Sequence, residues 1–181
     1  MGIKKLFMRF VRFFLSILVI FAIIFLLSLL LPYKVTVAKS VLINAPKTLV
    51  HKQVDDFKNW KNWYPAFQAE NVDITANSPK PGIIKSVSVK DKEKELQFDL
   101  IRLEPNIIDI KLNNQSSAKV DYHFIFSTHS DGKTQITWNV NTAMKWYPWE
   151  KAKGIFLDKV SGPQYEAALA NLKKAVENKV E

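Results

Sequence analysis

The sequence predicts an α+β fold: a curved antiparallel sheet of about seven strands around one long C-terminal helix, preceded by a single transmembrane helix. Three observations predict it. An unbroken apolar run fills residues 13–31, short segments of period-two alternation separated by turns follow one another from about residue 83 to 140, and helical spacing returns toward the C-terminus.

The apolar run comes first. Residues 13–31 contain no charge, Pro or Gly, and only Ser16 and Ser28 are polar. At a helical rise of 1.5 Å the run spans roughly 28 Å, close to the hydrocarbon thickness of about 30 Å. Its Leu, Ile, Phe and Val residues together favour insertion by roughly 5–10 kcal/mol. A run that is greasy on every face does not suit the core of a small soluble domain. The competing reading is a cleaved signal peptide, with Thr36-Val37-Ala38 as a weak cleavage site. Signal h-regions are shorter, about 7–15 residues, which favours an uncleaved anchor. Lys4, Lys5, Arg9 and Arg12 precede the run, against Lys34 and Lys39 close behind it. That bias places the N-terminus in the cytoplasm and the domain outside, periplasmic or extracellular in a bacterium. The expected organisation is therefore a basic cytoplasmic N-terminus over 1–12, a membrane span over 13–31 and a folded domain over 33–181.

The folded domain has no cysteine, so it lacks disulfides and thiol chemistry. Without the four basic residues before the anchor, it carries 22 Lys and Arg against 17 Asp and Glu. A mild positive excess suits an anionic lipid surface. No basic cluster or basic helix face points to nucleic acid.

Residues 34–43 read as a β-branched strand. Asn44-Ala45-Pro46 is a helix start, with Pro46 at the first helical position, and a helix is expected over 46–56. A second short helix follows over 57–63, closed by Tyr64-Pro65. Residues 71–76 form a short strand and 78–82 a loop, and a further strand spans 83–89. The turn at 90–94 leads to a strand with Leu96, Phe98 and Leu100 on one face. Glu104-Pro105-Asn106 turns into a strand with Ile108, Ile110 and Leu112 on one face. After a polar loop at 113–117, Tyr122, Phe124 and Phe126 share a face. Ser130-Asp131-Gly132-Lys133 is a hairpin signal, answered by Ile136, Trp138 and Val140. In the last segment Tyr165, Leu169, Leu172 and Val176 form one stripe, and Trp149, Phe156 and Val160 a rougher one. Ser161-Gly162-Pro163 is expected to kink or restart that helix. A sheet with one greasy face needs a cover, and only the last helix is long enough, so the expected arrangement is a helix grip.

Within that pattern Val41-Leu42-Ile43-Asn44-Ala45-Pro46, the stretch Asp56-Phe57-Lys58-Asn59-Trp60-Lys61-Asn62-Trp63-Tyr64-Pro65, and Tyr165-Glu166-Ala167-Ala168-Leu169-Ala170-Asn171-Leu172-Lys173 resemble the START/Bet v 1-like (SRPBCC) superfamily, in its polyketide cyclase/dehydrase and lipid-transport branch. The likeness spans residues 35–180. It implies a cavity between sheet and helix for hydrophobic molecules. Some such proteins are cyclases or hydrolases, so the resemblance implies a pocket more firmly than a reaction.

The candidate cavity residues are Leu96, Phe98, Leu100, Ile108, Ile110, Tyr122, Phe124, Phe126, Ile136, Trp138, Tyr165 and Leu169. The pattern alone does not separate a hollow interior from one filled by Phe98, Phe124 and Trp138. Trp60, Trp63, Tyr64 and Phe67 form an aromatic cluster that either packs the core or lines the inner end of the pocket. No catalytic, metal or cofactor set emerges. His51, His123 and His129 lack metal-ligand spacing, and no nucleophile motif is present. Asp99 and Asp109 fall on the outward face of their strands. Trp146, Tyr147 and Trp149 are candidate membrane-interface residues, because the first strand begins beside the end of the last, and Trp and Tyr favour the headgroup level. The resemblance also implies a cavity mouth at that end. The expected function is a membrane-anchored, non-catalytic domain that binds or transfers a lipid-like ligand, its partners being the bilayer and that ligand. The alternatives are a cyclase- or hydrolase-type enzyme using the same cavity, and a scaffold domain with a filled core.

Overall fold

The computed structural model describes residues 2–68, 73–78, 80–91, 94–114 and 119–179, with backbone alone for 2–6, 91, 94 and 114. Asn71, Pro79, the turn residues Lys92 and Glu93, and 115–117 of the expected polar loop lie outside the described residues, as do the side chains of Lys4 and Lys5. Helix α1 covers Gly2–Leu29 and is followed at once by β1, Lys34–Ile43. Helix α2 spans Lys47–Asp55, and two 3-10 turns follow at Phe57–Asn62 and Pro65–Phe67. The second expected helix is therefore 3-10 in form. Asp56 begins its first turn by accepting from the Lys58 amide, and Pro65 interrupts the backbone donors after Tyr64.

Six strands then run consecutively: β2 Asp73–Asn77, β3 Lys85–Asp91, β4 Lys94–Glu104, β5 Ile107–Asn114, β6 Val120–Thr128 and β7 Thr134–Ala143. All pairs are antiparallel, in the order β1-β7-β6-β5-β4-β3-β2. The first strand thus pairs with the last, Lys34 opposite Ala143, and the Met144 amide donates to the Tyr33 carbonyl at 2.7 Å. β4 carries a bulge between Leu100 and Arg102, which bends the sheet. The β6–β7 turn uses Gly132 at φ +80°, a left-handed conformation that glycine adopts without a Cβ penalty.

The C-terminal part is α3, Pro148–Ile155, and α4, Leu157–Glu177. The expected interruption at 161–163 is a correction: the helix breaks at Phe156, and α4 runs unbroken through Pro163. Pro163 lies on the exposed side, where water can satisfy the carbonyl its missing amide leaves free. The break falls where Gly154 is pressed against Val35 and Met144, so the backbone of α3 reaches the sheet edge and must turn. Gly162 makes room for Lys39, whose ammonium bridges Asp158 at 3.1 Å and Glu166 at 2.7 Å and ties α4 to β1.

Candidate functional site

The period-two alternation places the large apolar side chains of the sheet on one face. Phe98, Leu100, Ile108, Ile110, Tyr122, Phe124, Phe126, Ile136 and Trp138 are all buried there, and Leu169 is buried beneath them on α4. Leu96 and Tyr165 are half-buried at the margin of this layer. Trp60, Trp63, Tyr64 and Phe67 from the 3-10 region enter the same space. Trp60 and Trp63 are fixed by ring N–H donation to the carbonyls of Val54 and Gln53. Rings then meet rings. Phe124 stacks on Trp138 at 4.9 Å, Trp138 meets Tyr165 edge-on at 4.9 Å, and Trp60 meets Phe98 edge-on at 5.5 Å. At the centre, the space between sheet and helix is occupied by the protein's own aromatic side chains.

This interior holds a small polar cluster. The Tyr64 and Tyr122 hydroxyls lie 2.9 Å apart, and the Tyr165 ring meets Tyr122 edge-on at 6.4 Å. Burial raises all three phenols above their ordinary range, so they are neutral donors near neutral pH. The buried indole N–H of Trp138 has no protein partner, nor has the buried side-chain oxygen of Gln53. Tyr122 was legible as an inward polar residue from its alternation. Tyr64 was not, because its direction depends on how the 3-10 turns seat.

The remaining titratable candidates sit elsewhere. Asp99 and Asp109 are on the outer face as expected, but Asp99 is only 4% exposed. Ser86 and Gln97 donate to one of its oxygens at 2.6 and 2.9 Å, and Asn113 donates to the other at 2.8 Å. Asp109 faces His123 and, at 3.8 Å, Arg102. His51 lies against Phe126 at the edge of the core, between Asp55 and the Glu104 carbonyl. His129 is exposed beside Gln135. Among the described residues, no cluster of three or more His, Asp or Glu is placed to hold a metal. Asp99 is the only buried carboxylate of the described residues, and it faces away from the tyrosine cluster.

Open space adjoins the core beside the first 3-10 turn. A groove of about 580 Å³ lies between the first 3-10 turn and the β2–β3 edge. Phe57, Ile74, Ala76, Ile84 and Val87 supply apolar surface, and Lys58, Lys61 and Lys85 the positive charge, beside Asp56. Phe57 connects it inward, with its ring 6.3 Å from Phe98 and 5.2 Å from Trp60. In the antiparallel register Lys85 pairs with Leu100, and the ladder continues through Ile110, Tyr122 and Val140 to Val37 of β1, while Asn77 pairs with Ser86. The groove therefore lies at the β2–β3 side of the sheet, at the opposite edge in strand order from β1. Next to β1, α3 packs against α1.

A family profile described as polyketide cyclase/dehydrase and lipid transport matches residues 34–177. The chain belongs to the polyketide cyclase/dehydrase and lipid transport family. No curated protein sequence matches it. Among solved structures it resembles the Zhui aromatase/cyclase of Streptomyces sp. R1128, at 15% identity and TM-score 0.63, over 82% of this chain and 96% of that one. It also resembles a protein of unknown function from Staphylococcus aureus, at 14% identity and TM-score 0.64, over 81% and 96% of the two chains. The di-domain aromatase/cyclase StfQ of the steffimycin pathway aligns at 11% identity and TM-score 0.62, over 82% of this chain and 52% of that one. At these identities the likeness is one of fold.

The polyketide cyclase/dehydrase and lipid transport domain begins with β1 and ends with α4, so α1 lies outside the matched residues. Among the described residues one helical segment, Phe7–Leu29, is long and apolar enough to cross a membrane. Where it meets the family domain, Trp146 lies 6.4 Å from Phe25, and the Lys151 ammonium donates to the Ser28 carbonyl at 3.1 Å. A cation there suits the negative end of the helix dipole. Trp146 and Trp149 are 71% and 57% exposed, while Tyr147 between them is half-buried.

Proposed function

We propose that this protein is a single-pass, membrane-anchored, non-catalytic domain that binds or transfers a lipid-like ligand, with residues 1–12 in the cytoplasm, a span over 13–31 and the domain over 33–181 outside. The observation that carries the reading is the groove of about 580 Å³ beside the core. Its size lies within the range of small-molecule sites, about 300–1,000 Å³. An apolar floor with lysines at the rim suits an amphipathic ligand with an anionic end. The tail would lie against Phe57 and Ile74 and extend toward Phe98, whose neighbours Leu100, Tyr122 and Phe124 make up the expected lining.

Absence of catalysis is supported by the chemistry within reach: three neutral phenols and an indole N–H, with no buried imidazole or carboxylate beside them among the described residues. A scaffold reading is favoured by one observation, the ring-filled centre beside exposed aromatic residues.

The test is native mass spectrometry of the full chain released from cells in mild detergent. One apolar ligand per chain is expected, retained through detergent exchange and lost when Ala76→Trp fills the groove. A chain that arrives empty, or keeps its ligand in the Ala76→Trp form, refutes binding at this place.

A further inference from the structure

Beyond the anchor, the domain carries a second apolar surface. Phe156 and Val160 are 60% and 75% exposed, and Ile155 is comparably open. They continue the exposed Trp146 and Trp149. Phe156, at the break between the two helices, and Val160 lie four residues apart, one turn along the start of α4. Elsewhere in the domain, exposed large apolar residues such as Leu42, Leu103 and Ile125 are single and only marginally exposed.

The position of this surface says what covers it. Trp146 touches Phe25, which lies one turn inside the apolar helix, about 6 Å before Leu29 at 1.5 Å per residue. Lys151 reaches the backbone of Ser28 at the same level. A segment that packs on the last turn of a spanning helix lies at the depth of headgroups and upper acyl chains. Lys145, Lys153 and Lys159 are exposed around it, the charge that an anionic leaflet attracts. Apolar and aromatic side chains rimmed by lysine are the composition of an interfacial helix.

We propose that the face formed by α3 and the first turn of α4 is seated in the lipid interface, and that this fixes the domain in one orientation against the membrane. The inference rests on α1 crossing the bilayer. Its partner is lipid rather than protein.

The full chain reconstituted in nanodiscs containing anionic lipid tests it. Its five tryptophans divide into Trp60, Trp63 and Trp138, which are closed in the core, and Trp146 and Trp149, which are exposed on this face; α1 contains none. The emission lost in the W146F/W149F form reports the face. Brominated acyl chains are expected to reduce that component by about two-fold or more, with little quenching by aqueous acrylamide. Phe156→Glu with Val160→Glu, both at exposed positions, is expected to weaken the lipid quenching by about two-fold or more. If acrylamide quenches the component and brominated lipid does not, the face looks into water and the proposal falls, leaving the surface to a protein partner. Alkaline extraction separates the two readings. A chain that washes off the membrane overturns the anchor itself, whereas a chain that resists extraction with a water-quenched face overturns the docking alone.

Discussion

Tyr122→Phe removes one oxygen from the centre of the domain and tests how the interior is held. The Tyr122 hydroxyl is bonded to that of Tyr64 at 2.9 Å. Its loss leaves the Tyr64 hydroxyl buried and unpartnered, because Tyr64 is only 4% exposed. An unmade hydrogen bond at a buried group costs about 1–3 kcal/mol. The expected destabilisation is therefore about 2 kcal/mol, or roughly 4–8 °C in Tm for a domain of this size. Tyr64→Phe should cost about as much, because it strands the Tyr122 hydroxyl, which is equally buried. In the double variant neither hydroxyl of the pair is left stranded, so its cost should fall below the sum of the two by about 1 kcal/mol. Urea titration of the full chain in detergent, followed by near-ultraviolet circular dichroism, measures all three. An additive double would refute the pairing argument, and an unchanged Tyr122→Phe would refute the bond.

Three further outcomes follow from other parts of the structure. Burial raises the phenols of Tyr64, Tyr122 and Tyr165, so the folded state keeps protons that the unfolded chain releases above about pH 10. Their contribution is complete below that pH and declines as pH rises through the folded values, by up to about 1.4 kcal/mol per pH unit per phenol. Tyrosinate absorbance should appear for these groups together with loss of circular dichroism, and early, unfolding-free titration of all three would contradict their burial. Asp99→Asn turns an amide donor toward groups that already donate to the carboxylate, and should lower the urea midpoint by the equivalent of about 2 kcal/mol. Gly154→Ala puts a methyl 2.9 Å from Val35 Cγ2 and 3.4 Å from Met144 Cγ. Overpacking of about 1–3 kcal/mol should exceed the gain in helix propensity of about 1 kcal/mol, which thermal unfolding will register.

The expected strand at 34–43 matches β1 residue for residue, because its β-branched run is bounded by Pro32 and Asn44. The meander was legible from the alternating inward residues of each strand, Leu96 to Leu100, Ile108 to Leu112, Tyr122 to Phe126 and Ile136 to Val140. Local pattern did not carry the helix break. Pro163 looked decisive, yet the contact of Gly154 with Val35, more than a hundred residues earlier in the chain, moved the turn to Phe156. Nor did alternation reveal that Asp99 is buried. Its shelter comes from Ser86 on one strand and Asn113 on another, with Gln97 beside it, a matter of three-dimensional neighbours. The groove was missed because Phe57, Ala76 and Ile84 belong to separate elements and share no period.

The pairing of β1 with β7 has a consequence for biosynthesis. Strand β1 is translated well before its partner, which is complete only when residues up to Ala143 have been made, and the helix that covers it ends at Glu177. Contacts of such sequence separation slow folding and prolong the exposure of unpaired strands. During that interval β1 waits unpaired, carrying Lys34 and Lys39, and charges of this kind discourage edge-to-edge association. Residues 157–177 are therefore the ones that close the domain over its first strand, so their loss should leave a sticky, open sheet rather than a smaller folded domain.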